Sequence, residues 1–441
     1  MGLAKQSVQI FITRGISILL MAVVGVVTAR VLGPSGKGLY VLATMIPVLL
    51  GLAASIGMSV AIPYFMNQKK HPPSEFFCSV FCLSLVLGGA GVVIVWLFKD
   101  FLQATVLKSM TPELLVLALA ATLVYIVWNF GLNSILIGRL HIMYSSIVLV
   151  VQGVLMCTLT FIFLVSLRMG VKGGVLAMLL SYTVAGVLTG LLVWRLEGCE
   201  ARINPGLVKD LLGFGWRSHL SHIAMHLNYR LDRFIINFFV GTAGLGYYSV
   251  AVSFAELLFS VSDSVRTALL PRIAADSKYG DITTAVICRH VIMISLVAGG
   301  VMLVAAKPLV SFLYTPAFLP AIRPFFLLLP GVIMMNICRI LYVDLAGRGK
   351  PIFTAYSSLV GLAFTIILDI ALIPRWGIAG AAVASTVAYT ASAVFALAAF
   401  SRVSGVAASE VIKVRRSDLD LYVGYGSRVF SKALGRGRVA G

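Results

Sequence analysis

Between Glu75 and Lys99 the chain runs FFCSVFCLSLVLGGAGVVIVWLF, 23 residues without a charged group. As an α-helix this stretch is about 34 Å long. That is enough to cross the roughly 30 Å hydrocarbon layer of a bilayer. Segments of this kind recur along the whole chain. In lipid every backbone N–H and C=O must find its partner inside the protein, so recurrent segments of this length specify helices. A barrel would need short strands of alternating polarity instead.

Proline, glycine and charge punctuate these runs into expected spans. Those of the first half lie near 7–32, 38–66, 76–98, 112–138, 142–167 and 171–195. Those of the second lie near 210–240, 243–270, 284–306, 318–346, 351–373 and 377–401. Charged residues make up 12% of the chain and hydrophobic residues 60%, against about 25% and 45–50% in soluble domains. The fold class is therefore an all-α integral membrane protein with about 12 transmembrane helices. The first segment is too long for the apolar core of a signal peptide and carries Arg14, so it reads as an uncleaved span. Six cysteines without a CxxC pair argue against a disulfide framework or zinc ribbon. Pro47, Pro63 and Pro330 fall mid-span, where kinks are expected.

A net charge of +19 would suggest nucleic acid in a soluble protein. Here its placement across the membrane matters more, and no nucleic-acid partner is expected. With a cytoplasmic N-terminus, Lys and Arg concentrate on the cytoplasmic connections and tail, eight of them from Arg402 onward. The opposite side carries fewer, among them Arg30, Lys37 and Lys99. This places both termini in the cytoplasm of a multi-pass protein of the cell (inner or plasma) membrane.

The chain also repeats itself. LGPSGKGLYVLA (32–43) aligns with VGTAGLGYYSVA (240–251) at an offset of 208, so that Gly33, Gly36, Gly38 and Tyr40 meet Gly241, Gly244, Gly246 and Tyr248. GVKGGVLAMLLSYT (170–183) aligns with GIAGAAVASTVAYT (377–390) at 207. Six spans per unit keep both copies in one orientation, which is a parallel repeat with its substrate site where the halves meet. The expected units are a six-helix lobe over 1–200, a second over 201–403 and a basic cytoplasmic tail over 404–441.

A first helix leading into LGPxGxGxY, and a seventh leading from YRLDRFIINFFVG into GxGYYSVA and LPRIA, resemble the polysaccharide transporter family. That family includes O-antigen and other lipid-linked oligosaccharide flippases, in the superfamily that also holds multidrug and toxin extrusion antiporters. The resemblance covers about residues 1 to 403. It implies two six-helix lobes, alternating access, and movement of an undecaprenyl-diphosphate-linked oligosaccharide from the cytoplasmic to the outer leaflet for cell-surface polysaccharide such as the O-antigen of lipopolysaccharide. Membrane lipids are implied partners, and assembly partners are left unnamed.

The seventh span is the most charged. On a helical wheel His219, His222, His226, Arg230, Arg233 and Asn237 form one stripe. Charge inside a bilayer faces protein or water. The stripe therefore reads as the cationic wall of a central cavity for an anionic head group, since arginine pairs bidentately with phosphate. The substrate-binding candidates are Arg14, His222, His226, Arg230 and Arg233. His219, Asn237, Asn129, Asn133 and Gln152 are weaker, the three amides at 129, 133 and 152 serving equally well as interhelical hydrogen-bond groups. Arg14 is the repeat counterpart of His222. Asp232, Glu256, Asp263 and Arg266 are candidates for ion coupling or internal salt bridges with the stripe. HxxHxxxH has metal-like spacing, but flanking arginines repel a cation and no carboxylate or cysteine joins the stripe. No metal and no cofactor is expected. Histidines there suit a pH-sensitive cavity.

Two other classes compete. A cation-coupled multidrug or metabolite antiporter of the same superfamily is the nearer one, but one large branch of those proteins places an acidic site in its first half, and here all intramembrane carboxylates lie in the second. A membrane glycan polymerase or ligase would need a substantial outer loop, and the longest expected one, 99–111, is short. GPSGKG (33–38) lacks Walker spacing. The chain is not expected to be an enzyme.

Overall fold

The computed structural model describes residues 3–68, 71–200, 202–275, 277–415 and 418. Among them the chain is helical nearly throughout and contains no strand. The first half holds α1 (Leu3–Ala54), α2 (Met58–Gln68), α3 (Ser74–Leu97), α4 (Lys99–Ala104), α5 (Pro112–Tyr125), α6 (Asn133–Gly138), α7 (Ile142–Thr160) and α8 (Gly170–Glu197). The second holds α9 (Pro205–Phe239), α10 (Thr242–Leu257), α11 (Phe259–Ala275), α12 (Ser277–Leu313), α13 (Ile322–Gly347), α14 (Ile352–Ser404) and α15 (Ala408–Ile412). A π-helical stretch joins α5 to α6 and another extends α7.

Two long helices are pairs. α1 is interrupted at Gly33 (φ 64°, ψ −176°) and α14 at Gly377 (φ 58°, ψ −137°). A positive φ of this kind is one that glycine adopts without steric cost. The repeat partners of these two residues, Gly241 and Gly170, also have positive φ, 87° and 62°. Positions paired by the sequence repeat thus turn the chain in the same way.

Among the described residues eight helices are long and apolar enough to cross a membrane, and α10 with the start of α11, bent by 41°, makes a ninth. That count treats α1 and α14 as single helices; dividing them at Gly33 and Gly377 adds two. α9 is the expected span it leaves out, the one that carries the stripe of arginines and histidines. The molecule is a multi-pass helical membrane protein.

The three mid-span prolines do not sit at the remaining breaks. Pro47, Pro63 and Pro330 lie inside helices. The breaks fall between α1 and α2, where Ile56 and Gly57 have φ of 43° and 73°, and between α10 and α11 at Leu258. A broken helix leaves carbonyls without an N–H four residues on. A neighbouring span donates to a carbonyl at each break, at Leu258 in addition to the Val261 backbone N–H at 3.2 Å. His219 Nε2 lies 3.0 Å from the Ala53 carbonyl, and Asn336 Nδ2 donates to the Leu258 carbonyl at 3.0 Å.

The halves meet where α1 crosses α10. A Cβ added to Gly38 would lie 1.7 Å from the Thr242 carbonyl oxygen, and one added to Gly246 would lie 2.0 Å from the Pro34 oxygen. Pro34 and Thr242, like Gly38 and Gly246, are 208 residues apart. The contact is reciprocal in the way a twofold interface is. Beyond the last span, the described part of the tail is tied to α12. Arg289 of α12 grips Asp418 with Nε at 2.6 Å and Nη2 at 3.1 Å, and its Nη1 donates to the Glu410 carbonyl at 2.6 Å.

Candidate functional site

The site is built on α9. Asn204 caps its start by accepting from Leu207 N at 3.1 Å, and Pro205 fills the first turn, where a missing N–H costs nothing. The beginning of α9 leans on the first half of the chain. Phe214 stacks on Tyr64 at 4.2 Å, Asp210 meets His71 at 3.1 Å, and Gly215 lies against the Ile56–Gly57 break. Its later part packs on α14, where Asn228 accepts from Thr365 at 2.9 Å and Tyr229 faces Tyr389. One helix therefore touches both halves, and Arg230 and Arg233 follow directly on its contacts with α14.

In this last third of α9, Arg230 and Arg233 share a carboxylate. Arg230 Nη1 is 3.8 Å and Arg233 Nη2 3.6 Å from Glu256 Oε1, an attraction too long to be a hydrogen bond. Arg233 is 8% exposed, and its Nε has no hydrogen-bond partner among the described residues. Asp232 faces away from this pair. Its Oδ2 accepts from Tyr248 Oη at 2.6 Å and its Oδ1 from the Arg233 backbone N–H at 2.8 Å, while Ser385 Oγ lies 3.1 Å from Tyr248 Oη.

Lys37 adds a third cation that the sequence pattern misplaced. Counted with the outer connections, it is 7% exposed, and its ammonium donates to Thr28 Oγ1 at 2.7 Å and to the Gly25 carbonyl at 3.2 Å. It acts electrostatically on Arg233 and is 5.5 Å from the ring centre of Tyr40. The helix begun after Gly33 carries its stem inward, and the hydroxyl and carbonyl of the preceding span receive the charge.

The other expected residues separate. His219 caps the break after Ala53, and Asn237 Nδ2 donates to the Val106 carbonyl at 2.6 Å. The two ends of the stripe are thus taken up in joining α9 to the first half, because each lies beside a carbonyl left open there. Asn133 accepts from Ser145 at 2.7 Å and Gln152 Nε2 donates to Ser181 at 3.4 Å, both between helices, whereas Asn129 reaches Tyr125 one turn back at 3.0 Å. His226 is half-buried on α9. The side chains of Arg14 and His222 lie outside the described residues. Among the described residues no group of three or more histidines, cysteines or carboxylates is arranged to hold a metal.

Asp263 binds Arg266 at 3.1 Å and, unforeseen, Arg339 of α13 at 2.7 Å. Asp369 is fully buried, and neither of its oxygens has a hydrogen-bond partner among the described residues; Asp232 is the charge that acts on it.

A chain of paired helical spans, with a buried arginine on the helix that touches both halves, has the fold of lipid-flippase and multidrug-transporter structures. It superposes on the lipid II flippase MurJ in an inward closed conformation with a TM-score of 0.80, at 16% identity, over 95% of this chain and 93% of that one. An inward-facing multidrug resistance transporter of the MATE family, in the MOP superfamily, gives 0.71 at 19% identity over 88% and 94%. Residues 27–323 match the family described as polysaccharide biosynthesis protein, and the chain belongs to that family. An uncharacterized membrane protein of Methanocaldococcus jannaschii is 23% identical over 418 residues, 91% of this chain and 98% of the relative.

Proposed function

We propose that this protein flips a lipid-linked oligosaccharide, carried on a polyprenyl diphosphate such as undecaprenyl diphosphate, from the cytoplasmic to the outer leaflet of the cell membrane. The observation that carries this reading is the loose sharing of Glu256 by Arg230 and Arg233. Two guanidinium groups held by one carboxylate beyond hydrogen-bond distance keep unused donors and a residual positive charge. A diphosphate supplies the oxygens they lack, and bidentate pairing favours it over a single-point anion. Lys37, from the first half, adds to the same field. The anion is thus held between the halves, as alternating access requires.

Both termini are cytoplasmic in this reading, and the chain works as a transporter without catalysing bond chemistry. The two lobes, 1–200 and 201–403, are its moving parts. For coupling we assign Asp232 and Asp369. A carboxylate buried without a partner is costly as a free charge, and a proton or a monovalent cation would relieve it. The same pair supports the second reading, a cation-coupled antiporter for multidrug or other small substrates.

Proteoliposomes loaded with a fluorescent polyprenyl-diphosphate oligosaccharide test the proposal. Wild-type protein should move the lipid between leaflets, and the R230Q/R233Q variant should be slower by at least about tenfold with an unchanged melting temperature. Normal flipping by that variant overturns the role of the arginines. Dye export without lipid movement would install the antiporter reading instead.

A further inference from the structure

The Arg230–Arg233–Glu256 arrangement has a second copy in kind. On α11 and α13, Arg266 Nη1 and Arg339 Nη2 both donate to the same oxygen of Asp263, at 3.1 and 2.7 Å. Again two guanidinium groups share one carboxylate, leaving one positive charge in excess. Arg266 Nε and Arg339 Nη1 are shielded, with no hydrogen-bond partner among the described residues. The Arg266 and Asp263 side chains are 39% and 42% exposed, so the group opens outward from the helices, whereas Arg339 is 16% exposed. Arg339 is braced against the ring of Phe259, 4.6 Å from its centre, and Phe259 in turn faces Tyr229 of α9 at 6.2 Å. Two arginines held close together repel each other, and the single carboxylate offsets that repulsion only in part. Such a pair is stable where an anion visits it.

Asp263 lies seven residues beyond Glu256 across the bend at Leu258, or about 10 Å along the helix. We propose that Arg266 and Arg339, with Asp263 as their counter-ion, form a second diphosphate-binding station, one step along the path from the Arg230–Arg233 station. The inference rests on the flippase reading and adds to it a residue, Arg339, and a direction. In the proposed orientation the second station lies on the cytoplasmic side, so it receives the head group first and passes it on. Short steps between matched charges keep a doubly charged group from standing unpaired in a low-dielectric setting.

The test is binding of farnesyl diphosphate to the full-length protein in nanodiscs, with inorganic pyrophosphate as a parallel arm. R339Q should weaken binding by about tenfold and R339K by less, since lysine keeps the charge but loses the fork. D263N should tighten binding, an opposite sign that damage to the fold would not give. Tighter binding of farnesyl diphosphate than of pyrophosphate assigns the station to a lipid head group, and equal binding assigns it to the diphosphate alone. Unchanged affinity in R339Q and D263N, with loss in R230Q/R233Q, overturns the second station and leaves the first. Unchanged affinity in all three overturns both.

Discussion

Asp232 accepts a hydrogen bond from Tyr248 at 2.6 Å, although Arg233 is its chain neighbour and Arg230 lies two residues back. The fully buried tyrosine holds the carboxylate away from the arginines, which keeps their charge available. Replacing Tyr248 with phenylalanine removes the donor and leaves the carboxylate short of a partner. The cost should be about 1–3 kcal/mol, read as a lower melting temperature in detergent. Ser385→Ala, at the far side of the same hydroxyl, should cost less. Equal stability of Tyr248→Phe and wild type would show that the bond contributes nothing.

Glu256 competes with any anion for Arg230 and Arg233. Glu256→Gln should therefore bind farnesyl diphosphate several-fold more tightly and release it more slowly, so that translocation falls while affinity rises. Loss of affinity in this variant would show that Glu256 positions the arginines instead of competing for them.

At Gly38 and Gly246 a methyl group would overlap a carbonyl oxygen of the opposing helix. Neither oxygen can rotate away, because both belong to backbone. Gly38→Ala and Gly246→Ala should each destabilise by about 1–3 kcal/mol, and by similar amounts, since the contact is reciprocal. Alanine at Gly89, where an added Cβ meets nothing within 4 Å, is the control. A stable, active Gly38→Ala would mean that the two helices do not approach this closely.

The Arg289 hydrogen bonds hold the Asp418 carboxyl below its ordinary value, with burial opposing them. A carboxyl lowered in this way stabilises at every pH above its usual value of about 3.9, and the stabilisation is lost only as pH falls through the lowered value. The protection factor for hydrogen exchange over residues 408–415, taken against the intrinsic rate at each pH, should therefore be unchanged between about pH 8 and pH 5 and should fall in more acidic solution. Arg289→Gln should lower it across the whole range. Release of the segment near neutral pH in the wild type would contradict the clamp.

What could be read from sequence was whatever repeats within one helix or between the halves. The apolar runs located the helices, and the repeat paired Gly33 with Gly241 and Gly170 with Gly377, all four of which the structure shows at positive φ. Lys37, Arg339 and Asp369 escaped for one reason: none has another charged residue within a helical turn on its own segment. A wheel drawn for a single helix cannot display a cluster assembled from several. The ends of the α9 stripe misled for the complementary reason. His219 lies on the polar face, but the open carbonyl it serves belongs to a break marked in the sequence only by Gly57.

The contact between Gly38 and Gly246 has a mechanical consequence. Backbone meets backbone there with no side chain between, so no change of rotamer can lengthen or cushion the joint. Sliding is opposed by the facing carbonyls, and pivoting is the motion they leave. A turn of about 10° at such a fulcrum carries a point roughly 30 Å away, one bilayer thickness, through about 5 Å. Two glycines would then serve as the bearing of a lever whose far arm opens or shuts a passage as wide as a sugar ring.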